Sequence, residues 1–128
     1  MINLKQVTED EYLSATYQAE SPEQNDYDLG FSGWSPDYSD PSSYLDIFGT
    51  GKTAAMTYHL GISSDNDALI KSTGLDQYQS LLDEANALKD SDQVDQRYET
   101  YAKAQAWLTD SALYLPTTTY NGAAAVIS

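Results

Sequence analysis

The 128-residue chain contains no cysteine. That excludes a disulfide framework, thiolate catalysis and cysteine-held zinc together. Histidine occurs once, at His59, so hydrolytic triads and histidine-rich metal sites have almost no raw material. Basic residues are scarce as well: six Lys and Arg stand against 20 Asp and Glu, for a net charge of −14. A surface this negative repels phosphate backbones and anionic headgroups, which argues against nucleic acid and membrane surfaces as direct partners. The apolar run needed to span a bilayer is also missing, since the longest low-polarity stretch is Gly122 to Ile127. Met1-Ile2-Asn3-Leu4-Lys5 shows no charged region feeding an apolar one, so the expectation is a cytoplasmic chain or a piece of a larger one.

What is present is tyrosine, 11 of them beside two Trp and two Phe. That composition suits amphipathic or wet interfaces, and equally tyrosine-filled helix contacts. With 41% apolar residues the chain can bury one core, which predicts a single domain over residues 1–128. Ile2, Leu4 and Gln6 alternate with their neighbours and predict a short first strand. Thr8 with Glu11 is a capping-box pattern opening a helix to about Ala19. A polar loop at 21–26 leads to alternation at Tyr27, Leu29 and Phe31, a second strand. Strand, helix, strand is a crossover unit and implies parallel pairing.

Residues 49–67 are rich in Gly, Ser, Thr, Asn and Asp and predict mostly loop. Thr73 is placed to cap the next helix, whose stripe is Leu75, Tyr78, Leu81, Leu82, Ala85 and Leu88. After Ser91-Asp92 a second stripe runs through Val94, Tyr98, Tyr101, Ala102, Gln105 and Leu108, ending near Asp110. Leu113 to Leu115 predict a final strand before Pro116, and the 122–128 tail has no terminating logic of its own.

Several apparent motifs fail on inspection. Gly51-Lys52-Thr53 suggests a phosphate loop, but Asp46 occupies the place of its first glycine and would repel phosphate. Ser64-Asp65-Asn66-Asp67 lacks the glycine and closing glutamate of a calcium loop. Acidic pairs such as Asp37 and Asp40 arise by chance among 20 carboxylates, so they do not predict an enzyme.

One stretch survives, GFSGWSPDYSDPSSYLDIF at 30–48. Gly33 leaves the backbone approachable, so an extended peptide can pair with the main chain of residues 33 to 35. Trp34 offers an apolar plate, and the Asp37 carboxylate suits a peptide's α-ammonium group. The competing expectation makes Trp34 a core plug and Asp37 and Asp40 turn residues, with Pro41 opening a helix.

YDLGFSGWSPDYSDPSSYLDIF resembles the G-W-x-x-D-Y-x-D-P-x-x-(F/Y)-L segment of extracytoplasmic oligopeptide-binding proteins, the substrate-binding subunits of peptide ABC importers. Within that family the stretch resembles the oligopeptide-binding lipoproteins of streptococci and related Gram-positive bacteria. GLDQYQSLLDEANAL and RYETYAKAQAWLTDSALYLPTTTY are similar to the paired helices and following strand of the same proteins. The resemblance implies an α/β fold, part of the C-terminal lobe of a two-lobed periplasmic-binding-protein-like (type II) architecture. It implies a short, mostly parallel sheet with flanking helices. It also implies Asp37 at the peptide amine, main-chain bonds from Gly33 and Ser35, and Trp34 lining a side-chain pocket. The Asp40-Pro41 turn would be a scaffold behind them. The implied partners are oligopeptides and the ABC permease, with no cofactor, no metal and no reaction catalysed. The implied location is the outer face of the cell membrane, lipid-anchored in the full-length parent. Pheromone sensing, adhesion, and a nickel-complex or sugar ligand remain the alternatives.

Overall fold

The computed structural model describes residues 2–19, 21–52 and 54–118. Among them the regular structure is helical and no strand forms. Helix α1 (Glu9–Ala15) opens as its capping residues dictate. The Thr8 hydroxyl accepts from the Glu11 N–H at 3.3 Å, and the Glu11 carboxylate accepts from the Thr8 N–H at 2.8 Å. It stops short of Ala19 because Thr16 leaves the helical backbone region.

The three expected strands are not formed. Residues 2–6, 27–32 and 113–115 lack any ladder, and Leu4, Leu29 and Leu115 are 94%, 82% and 84% exposed. Alternation predicts which face of a strand would be buried. The strand itself exists only where a neighbour supplies N–H and C=O groups. Among the described residues no neighbour does, so the parallel sheet and its crossover are absent there and the α/β expectation reduces to helices. Ala112, with φ +56°, turns the chain just before the last of these segments.

Helix α2 (Ser42–Leu45) follows Pro41, which caps it, and tightens into a 3₁₀ turn at Asp46–Phe48. The following loop carries a 3₁₀ turn at Thr57–Leu60. It ends in a helix that the sequence reading left out, α3 (Asp67–Thr73). Its cap is Asn66, whose Oδ1 accepts from the Leu69 N–H at 3.1 Å. Thr73 therefore caps nothing: its hydroxyl donates back to the carbonyls of Leu69 and Ile70. Gly74, left-handed at φ +79°, turns α3 directly into α4 (Leu75–Ala87).

A 3₁₀ turn at Ser91–Gln93 leads into α5 (Val94–Asp110). The early part of α4 meets the late part of α5, with Tyr78 and Trp107 rings 5.5 Å apart. The late part meets its middle, where Tyr101 donates to Asn86 at 2.5 Å. The two helices are thus an antiparallel hairpin. Leu75, Tyr78, Leu82 and Ala85 face Tyr101, Ala104 and Leu108, and Leu45, Ile62 and Ile70 close the core. The α4 stripe matches its expected positions. On α5 the core takes Ala104, whereas Ala102, Gln105, Val94 and Tyr98 stay exposed. Facing Tyr78 and Leu82 turned the helix by the part of a turn that separates those positions.

Candidate functional site

Residues 30–36 form no regular element and are held from two sides. On the α1 side, Tyr12 donates its hydroxyl hydrogen to the Phe31 carbonyl at 2.8 Å. Tyr17 donates to the Gly33 carbonyl at 3.2 Å and shares a 2.7 Å bond with the Ser32 hydroxyl. On the α2 side, both contacts go to Ser43. The Trp34 indole N–H donates to its carbonyl at 2.8 Å, and the Asp37 N–H donates to its hydroxyl at 2.9 Å. Between these anchors, the Gly33 N–H and the N–H and C=O groups of Trp34 and Ser35 make no hydrogen bond among the described residues.

Gly33, Ser35 and Asp37 are exposed, and Trp34 is half-buried. Trp34 stands outside the buried core cluster, its indole oriented by one hydrogen bond. The Asp37 carboxylate makes no ion pair among the described residues. Within positions 33–37 lie main-chain groups with no hydrogen-bond partner among the described residues, a half-buried indole and an exposed carboxylate. Such a stretch can accept an added strand and a cation.

Asp40 points elsewhere. Its carboxylate accepts two N–H bonds from Arg97 of α5, both at 2.7 Å, and the N–H and hydroxyl of Ser42 at 3.0 and 2.7 Å. Asp40 is thus tied to α5 and to the start of α2. The Arg97 fork keeps the Asp40 carboxyl well below the usual carboxylate range and raises the guanidinium in return. From Arg97 the bonds continue inward. Arg97 donates to the Tyr101 hydroxyl at 2.9 Å, Tyr101 donates to Asn86, and Asn86 donates to Asp46 at 3.2 Å. Burial pushes the Asp46 carboxyl up, against the pull of that last bond.

Sequence reasoning missed Ser43, Tyr12, Tyr17 and Arg97. Only Arg97 carried a signal, as a cation four residues before Tyr101 on an apolar stripe of an acidic chain.

The rejected motifs have structural explanations. The N–H groups of Thr50 and Gly51, which would cradle a phosphate, both donate to the Gln79 side-chain oxygen at 2.7 and 3.1 Å. Asn66 and Asp67 begin α3, and no cluster of metal-ligating side chains forms among the described residues. His59 is half-buried with its ring 4.9 Å from that of Tyr17, and burial lowers its pKa. No helix among the described residues is long and apolar enough to cross a membrane.

No protein-family model matches the chain. Curated relatives do. The chain is 41% identical, over 129 aligned residues and its whole length, to the oligopeptide-binding protein AmiA of Streptococcus pneumoniae. It is 45% identical over 123 residues, 95% of its length, to the oligopeptide-binding proteins SarA of Streptococcus gordonii and AliB of Streptococcus pneumoniae. It spans only 19% of the first of these relatives and 18% of the other two. The likeness read from the Trp-x-x-Asp-Tyr-x-Asp-Pro stretch is matched by these relatives: this chain is homologous to one segment of the streptococcal oligopeptide-binding proteins.

Proposed function

We propose that this chain supplies one wall of a peptide-capturing site, within the C-terminal lobe of a substrate-binding protein that delivers oligopeptides to an ABC permease. The observation that carries the reading is the edge at Gly33–Asp37. There the N–H of Gly33 and the peptide groups of Trp34 and Ser35 have no hydrogen-bond partner among the described residues, and the exposed Asp37 carboxylate follows two residues on. Main-chain pairing is indifferent to side chains, which suits a ligand class defined by its backbone. Asp37 is the amine anchor in this reading, Gly33 and Ser35 pair with the peptide backbone, and Trp34 lines a side-chain pocket. The relatives are binding proteins by name, and the proposed action is likewise capture with no bond made or broken. The place of action is the outer face of the cell membrane, with the full-length parent lipid-anchored.

The test is an amide and indole NMR titration with a short free-amine peptide and its N-acetylated twin. Shifts at Trp34 and around Asp37 for the free amine alone are expected. Equal shifts for both peptides would remove Asp37 from the anchoring role. No shift with either, in this chain and in a full-length protein carrying it, would sink the peptide reading.

A further inference from the structure

Trp34 and Asp37 do not hold themselves in place. Both rest on Ser43, through its carbonyl and its hydroxyl. Ser43 lies in the single turn of α2, which is too short to hold its own conformation. The start of that turn is fixed by Asp40, which accepts the Ser42 N–H and hydroxyl on the same oxygen, Oδ1, that Arg97 reaches with one arm. The other arm of Arg97 takes Oδ2, closing a two-point fork between residues 57 apart in the chain. The fork is itself aimed. The guanidinium lies 4.9 Å over the Tyr101 ring, and the Tyr101 hydroxyl, fully engaged, accepts from it and donates to Asn86. Tyr101 is buried in the α4–α5 core, so the fork stands on a packed helix pair.

We propose that Arg97 is the positioning residue of the ligand-facing edge: through Asp40 and the Ser42–Ser43 turn it sets where the Trp34 indole and Asp37 stand. Arg97 touches no peptide in this scheme. A lysine at this place keeps the charge but replaces two directed bonds by one point contact, so the α2 turn gains freedom while the pair survives. The inference rests on the proposed peptide reading only for its consequence in binding; the positioning itself is measurable without ligand.

The experiment is hydrogen exchange of the two indole N–H groups, observed by NMR on the chain as it stands and on Arg97→Lys, Asp40→Asn and the double variant. Trp107 is the internal control, because it packs on Tyr78 in the α4–α5 core. Helix content by circular dichroism should persist. Trp34 indole exchange should quicken about tenfold or more in each single variant while that of Trp107 stays put. The double variant should be no faster than the faster single one, since both act through one contact. Unchanged Trp34 exchange, equal loosening of Trp34 and Trp107, additive effects, or loss of helix in both single variants would each overturn the proposal. Where the unaltered chain binds a free-amine peptide, Arg97→Lys should weaken it in step with the exchange. If the unaltered chain binds none while the exchange pattern holds, the peptide reading falls and the positioning role stands.

Discussion

Asp40 and Asp46 sit six residues apart, and their carboxyl groups respond to folding with opposite sign. Arg97 lowers the pKa of Asp40, so the stability this group contributes is complete above the ordinary carboxylate value of 3.8 and is lost as pH falls below it. Burial raises the pKa of Asp46, so its neutral form is favoured and its contribution is lost as pH rises through the folded value. Two substitutions of identical chemistry therefore diverge. Asp40→Asn should cost about 1.5–3 kcal/mol at pH 7, the range for hydrogen bonds to charged groups, because it leaves Arg97 without its counter-ion. Asp46→Asn keeps an acceptor for Asn86 and removes a half-buried charge, so it should stabilise at pH 7 and lose that gain in acid. Urea unfolding of both variants at pH 7 and near pH 3 reads the difference; equal signs at pH 7 would refute the assignment. The sequence displayed both aspartates, but nothing in it distinguished the one paired with a cation from the one that is not. That distinction depends on Arg97 and Asn86, 57 and 40 residues away.

At the scale of elements, the junction between α3 and α4 shows how a tight turn constrains a neighbour. Gly74 sits at φ +79°, and a Cβ there would stand 3.0 Å from Cζ2 of Trp107. Gly61 shares the backbone conformation, at φ +71°, with open space around it. Gly61→Ala should cost the left-handed conformation alone, about 1–2 kcal/mol. Gly74→Ala should cost that plus the displacement of Trp107 from the Tyr78 ring. Urea midpoints with unchanged m-values measure both; equal costs would mean that the indole yields freely. The helices α4 and α5 were legible because apolar residues recur every three or four positions over 13 and 17 residues. Helix α3 escaped because its seven residues show only Ile70 buried, too little for a stripe. The α1 cap was legible because capping is local, and it needs nothing beyond four consecutive residues.

At the scale of the molecule, Gly33, Ser35 and Asp37 of the proposed ligand-facing edge are exposed. An ammonium ion paired with Asp37 there remains in water, where such a pair is worth about 1 kcal/mol at most. Unpaired main chain competes with solvent in the same way. Peptide affinity of this chain alone should accordingly be weak, in the range above micromolar, and should weaken further with added salt. Isothermal calorimetry with a free-amine peptide checks this. A submicromolar dissociation constant would show that the edge is better enclosed than an open strand.

What the sequence determined by itself is what short-range chemistry governs: the Thr8 cap, the existence of helices α4 and α5, and the buried stripe of α4. Absent cysteine and scarce histidine belong to the same class, because missing atoms need no fold to exclude their chemistry. What only the tertiary structure decided is every property that requires a distant partner. Residues 27–32 carry a strand's alternation yet stay unpaired, since a strand is a relation between two segments and the second is not among the described residues. Asp37 and Asp40 look alike in the chain. They part company because α5 brings Arg97 to one of them and leaves the other in water.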